Sequence, residues 1–150
     1  MMNLRLIMSS VLMLSLLTLS ACGMPITDEK STKIKADLSS KSEVPPTAVD
    51  DAEGEVEVRI DKKNNKLTWE IEYKNLTGAV TKAHFHGPAT ISENAGVALP
   101  IDGDLASPIK GEATLTAEQM TEILAGKWYV NLHTAANPEG EIRGQLMPKS

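Results

Sequence analysis

The stretch "KLTWEIEY", residues 66–73, decides the fold class. Leu67, Trp69, Ile71 and Tyr73 occupy every second position, and Thr68, Glu70 and Glu72 lie between them. Successive side chains on a strand point to opposite faces, so this alternation describes an antiparallel strand with one buried and one wet face. The preceding stretch "EGEVEVRI" (53–60) alternates in the same way and turns Val56, Val58 and Ile60 inward. Between them "DKKNN" (61–65) is polar and short, as a hairpin loop should be.

Working outward, period-two runs recur at 32–38, 80–86, 96–101, 109–115, 127–133 and 141–147. Turn-forming stretches such as "EVPP", "NLTG", "HGPAT", "IDGD" and "ANPEG" separate them. Short strands at this spacing predict an all-β protein, a Greek-key β-sandwich of about eight strands. One segment departs from the pattern. In "LTAEQMTEILAGK" (115–127), Thr116 is placed as an N-cap with Gln119 three residues on, and Gly126 is placed as the stop. Met120, Ile123 and Leu124 form its apolar stripe. This predicts one short helix inserted before a late strand.

The N-terminus is read separately. Residues 1–21, "MMNLRLIMSSVLMLSLLTLSA", carry Arg5 and an apolar run too short and too Ser/Thr-broken for a membrane span. The run ends in small residues before Cys22, the order expected of a bacterial lipoprotein signal peptide. Acyl chains such as palmitate on Cys22 would then attach the mature chain to a membrane, and residues 22–31 read as a flexible tether. Gly23, rather than Asp, follows the cysteine. By analogy with lipoprotein sorting, this points to the cell envelope, at the outer membrane facing the periplasm or at the cell surface. Cys22 is the only cysteine, so no internal disulfide can form. Without Arg5 the net charge of −5 becomes −6, which argues against nucleic acid as a partner.

Two of the three histidines stand in "AHFHG" (83–87). Ala83 and Phe85 face inward, which leaves His84 and His86 together on the other face, roughly 6–7 Å apart at Cα. In "KWYVNLHT" (127–134), Val130 and Leu132 face the core, and Tyr129, Asn131 and His133 share the opposite face. Three imidazoles on polar faces near strand ends form a candidate metal site, and imidazole suits copper or zinc. In "GEIRGQL" (140–146), Glu141 and Arg143 share a face. They are candidates to bind an anion or, with Asn131, to orient a metal ligand; the leading reading pairs them with charges on a neighbouring strand, such as Glu70 or Glu72. No nucleophile–base arrangement, P-loop or dinucleotide fingerprint occurs, so nothing here marks an enzyme. With only Met24, Met120 and Met147 in the mature chain, a Met-rich copper carrier is unsupported.

"LSSKSEVPP" (38–46), "AHFHGPA" (83–89), "LTAEQMTEILAGKWYVNLHT" (115–134) and "NPEGEIRGQL" (137–146) occur in the order of a CHRD domain, the module named after chordin. The chain resembles that family over residues 32–148. The family is thought to be similar to the eight-stranded Cu,Zn superoxide dismutase sandwich. The resemblance implies mononuclear copper on His84, His86 and His133, because the dismutases place a His-x-His pair and a late histidine on copper. This chain lacks the bridging histidine, the zinc subsite and the disulfide of those enzymes, so dismutase activity is not carried over. Copper buffering or delivery by a lipid-anchored protein is the leading reading. A protein or matrix interaction module with structural histidines is the alternative, and weak dismutation is a third.

Overall fold

The computed structural model describes residues 31–149. The expected signal peptide, lipidated Cys22 and tether lie outside the described residues, apart from Ser31, which opens the first strand. Eight strands form: β1 Ser31–Ser39, β2 Glu53–Asp61, β3 Lys66–Lys74, β4 Val80–His86, β5 Val97–Ile101, β6 Ile109–Thr114, β7 Trp128–Thr134 and β8 Ile142–Leu146. The helix α1, Ala117–Leu124, precedes β7. No helix among the described residues is long and apolar enough to cross a membrane.

The β2–β3 hairpin forms as its alternation demands. Val56 lies opposite Ile71, Val58 opposite Trp69 and Ile60 opposite Leu67, all inward. The turn is closed by Asp61, whose Oδ1 accepts from the backbone N–H of Lys63 and Asn64. Asn65 then takes the left-handed conformation at φ 53°, which asparagine tolerates better than most residues. On the wet face Glu57 meets Lys33, Lys35 and Arg59, and Glu70 meets Lys110. Exposed pairs of this kind contribute only about 0–1 kcal/mol each.

The strand order is β5-β4-β7-β8-β1-β2-β3-β6, antiparallel at every pairing. Three neighbouring pairs are non-sequential: β8 beside β1, and the Greek-key crossings that set β3 beside β6 and β4 beside β7. β1 and β8 share a single rung, Ser39 opposite Arg143, so the sheet divides there into two four-stranded halves. β3 and β4 are five places apart in that order, yet the rings of Trp69 and Phe85 meet edge to face at 5.3 Å. The halves therefore fold over one another as a sandwich, with Phe85 also against Trp128 from the neighbouring strand β7 in the core. The helix bears its expected capping box: the Thr116 hydroxyl accepts from Gln119 N–H and the Gln119 side chain accepts from Thr116 N–H. Met120 and Ile123 bury its stripe, Leu124 is half-buried, and Gly126 ends it at φ 73°.

β7 corrects one sequence expectation. Its outer face should be wet, but all seven residues are buried. The cause is tertiary: Ala95 of loop 87–96 bonds Tyr129, Glu43 bonds Asn131 and Pro138 of the turn after β7 bonds His133, all on that face. For the same reason Glu141 and Arg143 do not pair with Glu70 or Glu72. Glu141 immediately precedes β8 and Arg143 lies on it; β8 neighbours β7 and β1 rather than β3, and both side chains are buried, at 0% and 1% exposure.

Candidate metal centre

β4 and β7 are neighbours, with His84 opposite Asn131, His86 opposite Tyr129 and Lys82 opposite His133. His133 is thus the diagonal neighbour of His84, on the same face. His84 lies between the other two rings, 5.4 Å from His86 and 5.0 Å from His133 by centroid. One ligand nitrogen from each of the three lies within 4.8 Å of the others. Among the described residues this is the cluster of His, Cys, Asp and Glu placed to hold a metal ion.

The hydrogen bonds select which nitrogens face one another. His86 Nδ1 is 3.0 Å from the Ala95 carbonyl, and His133 Nδ1 is 3.0 Å from the Pro138 carbonyl. A carbonyl only accepts, so each of these Nδ1 atoms must carry the proton. In a neutral ring that leaves a lone pair on Nε2. The Nε2 of His86 is buried without a hydrogen-bond partner. The Nε2 of His133 lies 3.1 Å from Nδ1 of His84. Without a metal, His84 must donate that bond. With a metal, His84 places its proton on Nε2 and offers the Nδ1 lone pair instead. Nitrogens bound at ~2.0–2.1 Å to one tetrahedral ion lie roughly 3.3 Å apart, close to this separation. The set of three neutral imidazole nitrogens fits copper or zinc.

Burial pushes all three imidazoles below their ordinary pKa. For His84 the neighbouring His133, His86 and Lys82 charges add to it, and for His133 the charges of His86 and Lys82. Each ring is therefore neutral at neutral pH, which is the ligating form. The Tyr129 ring stacks on His86 at 4.9 Å and 4°, and the Arg143 guanidinium stands 3.5 Å over the Tyr129 ring. His84 is only half-buried and lines a cleft with Lys82, Pro100 and Asp102, which leaves the cluster an open side.

The other three candidates are on this face but none hydrogen-bonds a histidine. Asn131 donates to Glu43 Oε2 at 3.1 Å. Glu141 accepts from Thr77, Thr134 and Asn137. Burial alone would raise its carboxyl, and those bonds outweigh it and hold it below the ordinary range. Arg143 donates to Asn94, Thr90, Glu93 and Gln145. The direct partners of the ligands are the carbonyls of Ala95 and Pro138. A backbone carbonyl leaves no mark in a sequence, so periodicity had no means of finding them.

Glu43 was also missed. It is 6% exposed, and burial pushes its carboxyl up to about 7 against the opposing pull of Arg143 and Asn131. Its Oε1 and Asn131 Oδ1 are both buried without partners. Both crowd Gly140, where a Cβ would meet them at 2.7 Å and 2.5 Å. A proton on Glu43 gives that pair of acceptors a donor.

No curated protein and no solved structure matches the chain. The family model described as CHRD domain matches residues 34–146, a span that includes all eight strands except the first residues of β1 and takes in the three histidines. On that match the chain belongs to the CHRD domain family.

Proposed function

We propose that the protein binds one copper ion through His84 Nδ1, His86 Nε2 and His133 Nε2, and that it buffers or delivers copper as a lipid-anchored protein of the cell envelope. The carrying observation is the pair of carbonyl locks. The Ala95 and Pro138 carbonyls accept from Nδ1–H of His86 and His133, which leaves the lone pair of each ring on Nε2, and that of His133 faces His84 Nδ1. A copper ion there would supply exchange of a soft-to-borderline cation with three nitrogen ligands. The chain's own contribution is to hold the rings neutral, oriented and open on the His84 side. Zinc fits the same donor set and is the competing ion. The reading takes Cys22 as the acylated residue that attaches the chain to the outer membrane. Delivery would also need a protein partner at the exposed edge of His84.

The test is Cu(II) titration of the chain at neutral pH followed by electron paramagnetic resonance. One equivalent with a multi-nitrogen type 2 spectrum, lost in His84→Ala and in His133→Ala, supports the reading. Weak, non-stoichiometric binding indifferent to both substitutions refutes it. A second reading, an interaction module with structural histidines, is favoured by the 3.1 Å contact between His84 and His133, which is a hydrogen bond in its own right. It expects His84→Ala to lower stability without any metal dependence.

A further inference from the structure

We infer that Arg143 and Glu141 are positioning residues for the metal ligands, each anchoring one loop whose carbonyl holds one histidine in its Nδ1–H tautomer. This rests on the copper reading above and states how the ligand set is kept ready for the ion.

Arg143 has no carboxylate within ion-pair reach among the described residues. Leaving a buried guanidinium without hydrogen bonds would be costly. It instead directs its donors into loop 87–96. Nη1 donates to Asn94 Oδ1 at 2.9 Å, and Nη2 donates to the Glu93 and Thr90 carbonyls at 2.8 and 3.3 Å. After Asn94 comes Ala95, whose carbonyl accepts from His86 Nδ1–H. The Ala95 N–H donates to the Tyr129 hydroxyl, and that ring carries His86 against it. The arginine thus touches both the loop and the ring that hold His86.

Glu141 does the same for His133. Its carboxylate accepts from Thr77 N–H at 2.6 Å, from the hydroxyls of Thr77 and Thr134 at 2.5 Å each, and from Asn137 Nδ2 at 2.9 Å. Thr134 ends β7 and Asn137 immediately precedes Pro138 in the turn, and the Pro138 carbonyl accepts from His133 Nδ1–H. Bonds to an ionised group are roughly twice as strong as neutral ones, which suits a buried charge to anchoring a loop that is otherwise exposed.

The division of labour, one charge per histidine, makes the test specific. The 15N-labelled full chain, stripped of metal with EDTA, is examined by long-range 1H–15N correlation of its imidazoles. In the parent, His86 and His133 show the Nδ1–H tautomer. Arg143→Met converts His86 to a tautomer mixture and leaves His133 unchanged, whereas Glu141→Gln does the reverse. Each variant also loses roughly 10–100-fold in Cu(II) affinity. Should either buried variant fail to fold, Asn94→Ala and Thr77→Val weaken the same anchors from exposed loops, and the same crossed pattern is required of them. Folded variants that keep both tautomers pure overturn the inference, as does a substitution that disturbs both histidines alike. A parent that binds no Cu(II) but shows the crossed pattern removes the copper reading and leaves the positioning roles supported.

Discussion

Replacing Glu43 with glutamine should flatten the pH dependence of stability. Glu43 is 6% exposed, and burial raises its carboxyl from an ordinary 4.5 to about 7. A carboxyl whose pKa is raised on folding stabilises the fold fully below the unfolded value and loses that contribution as pH rises through the folded value. The window is therefore pH 4.5 to about 7. The shift corresponds to about 3 kcal/mol at most, at 1.36 kcal/mol per pH unit. Glutamine mimics the protonated acid: its amide can donate to Asn131 Oδ1, which is buried without a partner. The variant should match the parent near pH 4.5 and exceed it by about 2 kcal/mol at pH 8. Urea denaturation of both proteins from pH 4.5 to 8.5 gives the difference, which cancels the titration of groups common to both. Parallel curves across that range, or a glutamine variant less stable than the parent at pH 8, would refute the assignment of Glu43 as a neutral acid in the fold.

Other consequences follow from the same geometry. Because burial holds the three imidazoles below their ordinary 6.5, protons should compete with Cu(II) only below that pH; an affinity already falling between pH 8 and 7 in a competition titration would contradict it. Phe85→Ala should cost about 3–5 kcal/mol by chemical denaturation, since the ring is fully buried between Trp69 and Trp128. Gly140→Ala should cost at least ~1–3 kcal/mol by the same assay, because φ is 133° and the new methyl would strike Asn131 and Glu43; a neutral effect would mean that this close approach is relaxed in solution.

Much of the architecture was legible from local pattern. The alternation in 53–60 and 66–73 placed β2 and β3 to within a residue, because one face of each meets the core and the other meets water. The capping box in 115–127 is equally local and appears as expected around α1. His84, His86 and His133 were grouped by face parity alone, and the pairing of β4 with β7 brings them together. The error was to equate the polar face with a wet one. Glu141 and Arg143 look like surface charges in sequence, and Glu70 and Glu72, opposite in sign to Arg143, looked like strand-borne partners. Loops that return from elsewhere in the chain, through Thr77 for Glu141 and Asn94 for Arg143, supply neutral donors and acceptors instead.

By itself the sequence determined the strand faces, the helix with its caps, and the shared side of the three imidazoles, since each depends on spacing within a few residues of chain. Tertiary structure alone decided which nitrogen of each imidazole is free. That choice rests on the carbonyls of Ala95 and Pro138, which reach the rings only after loop 87–96 and turn 135–141 fold over β7. A carbonyl is present at every residue, so only its position in space can turn it into the group that sets a histidine's tautomer.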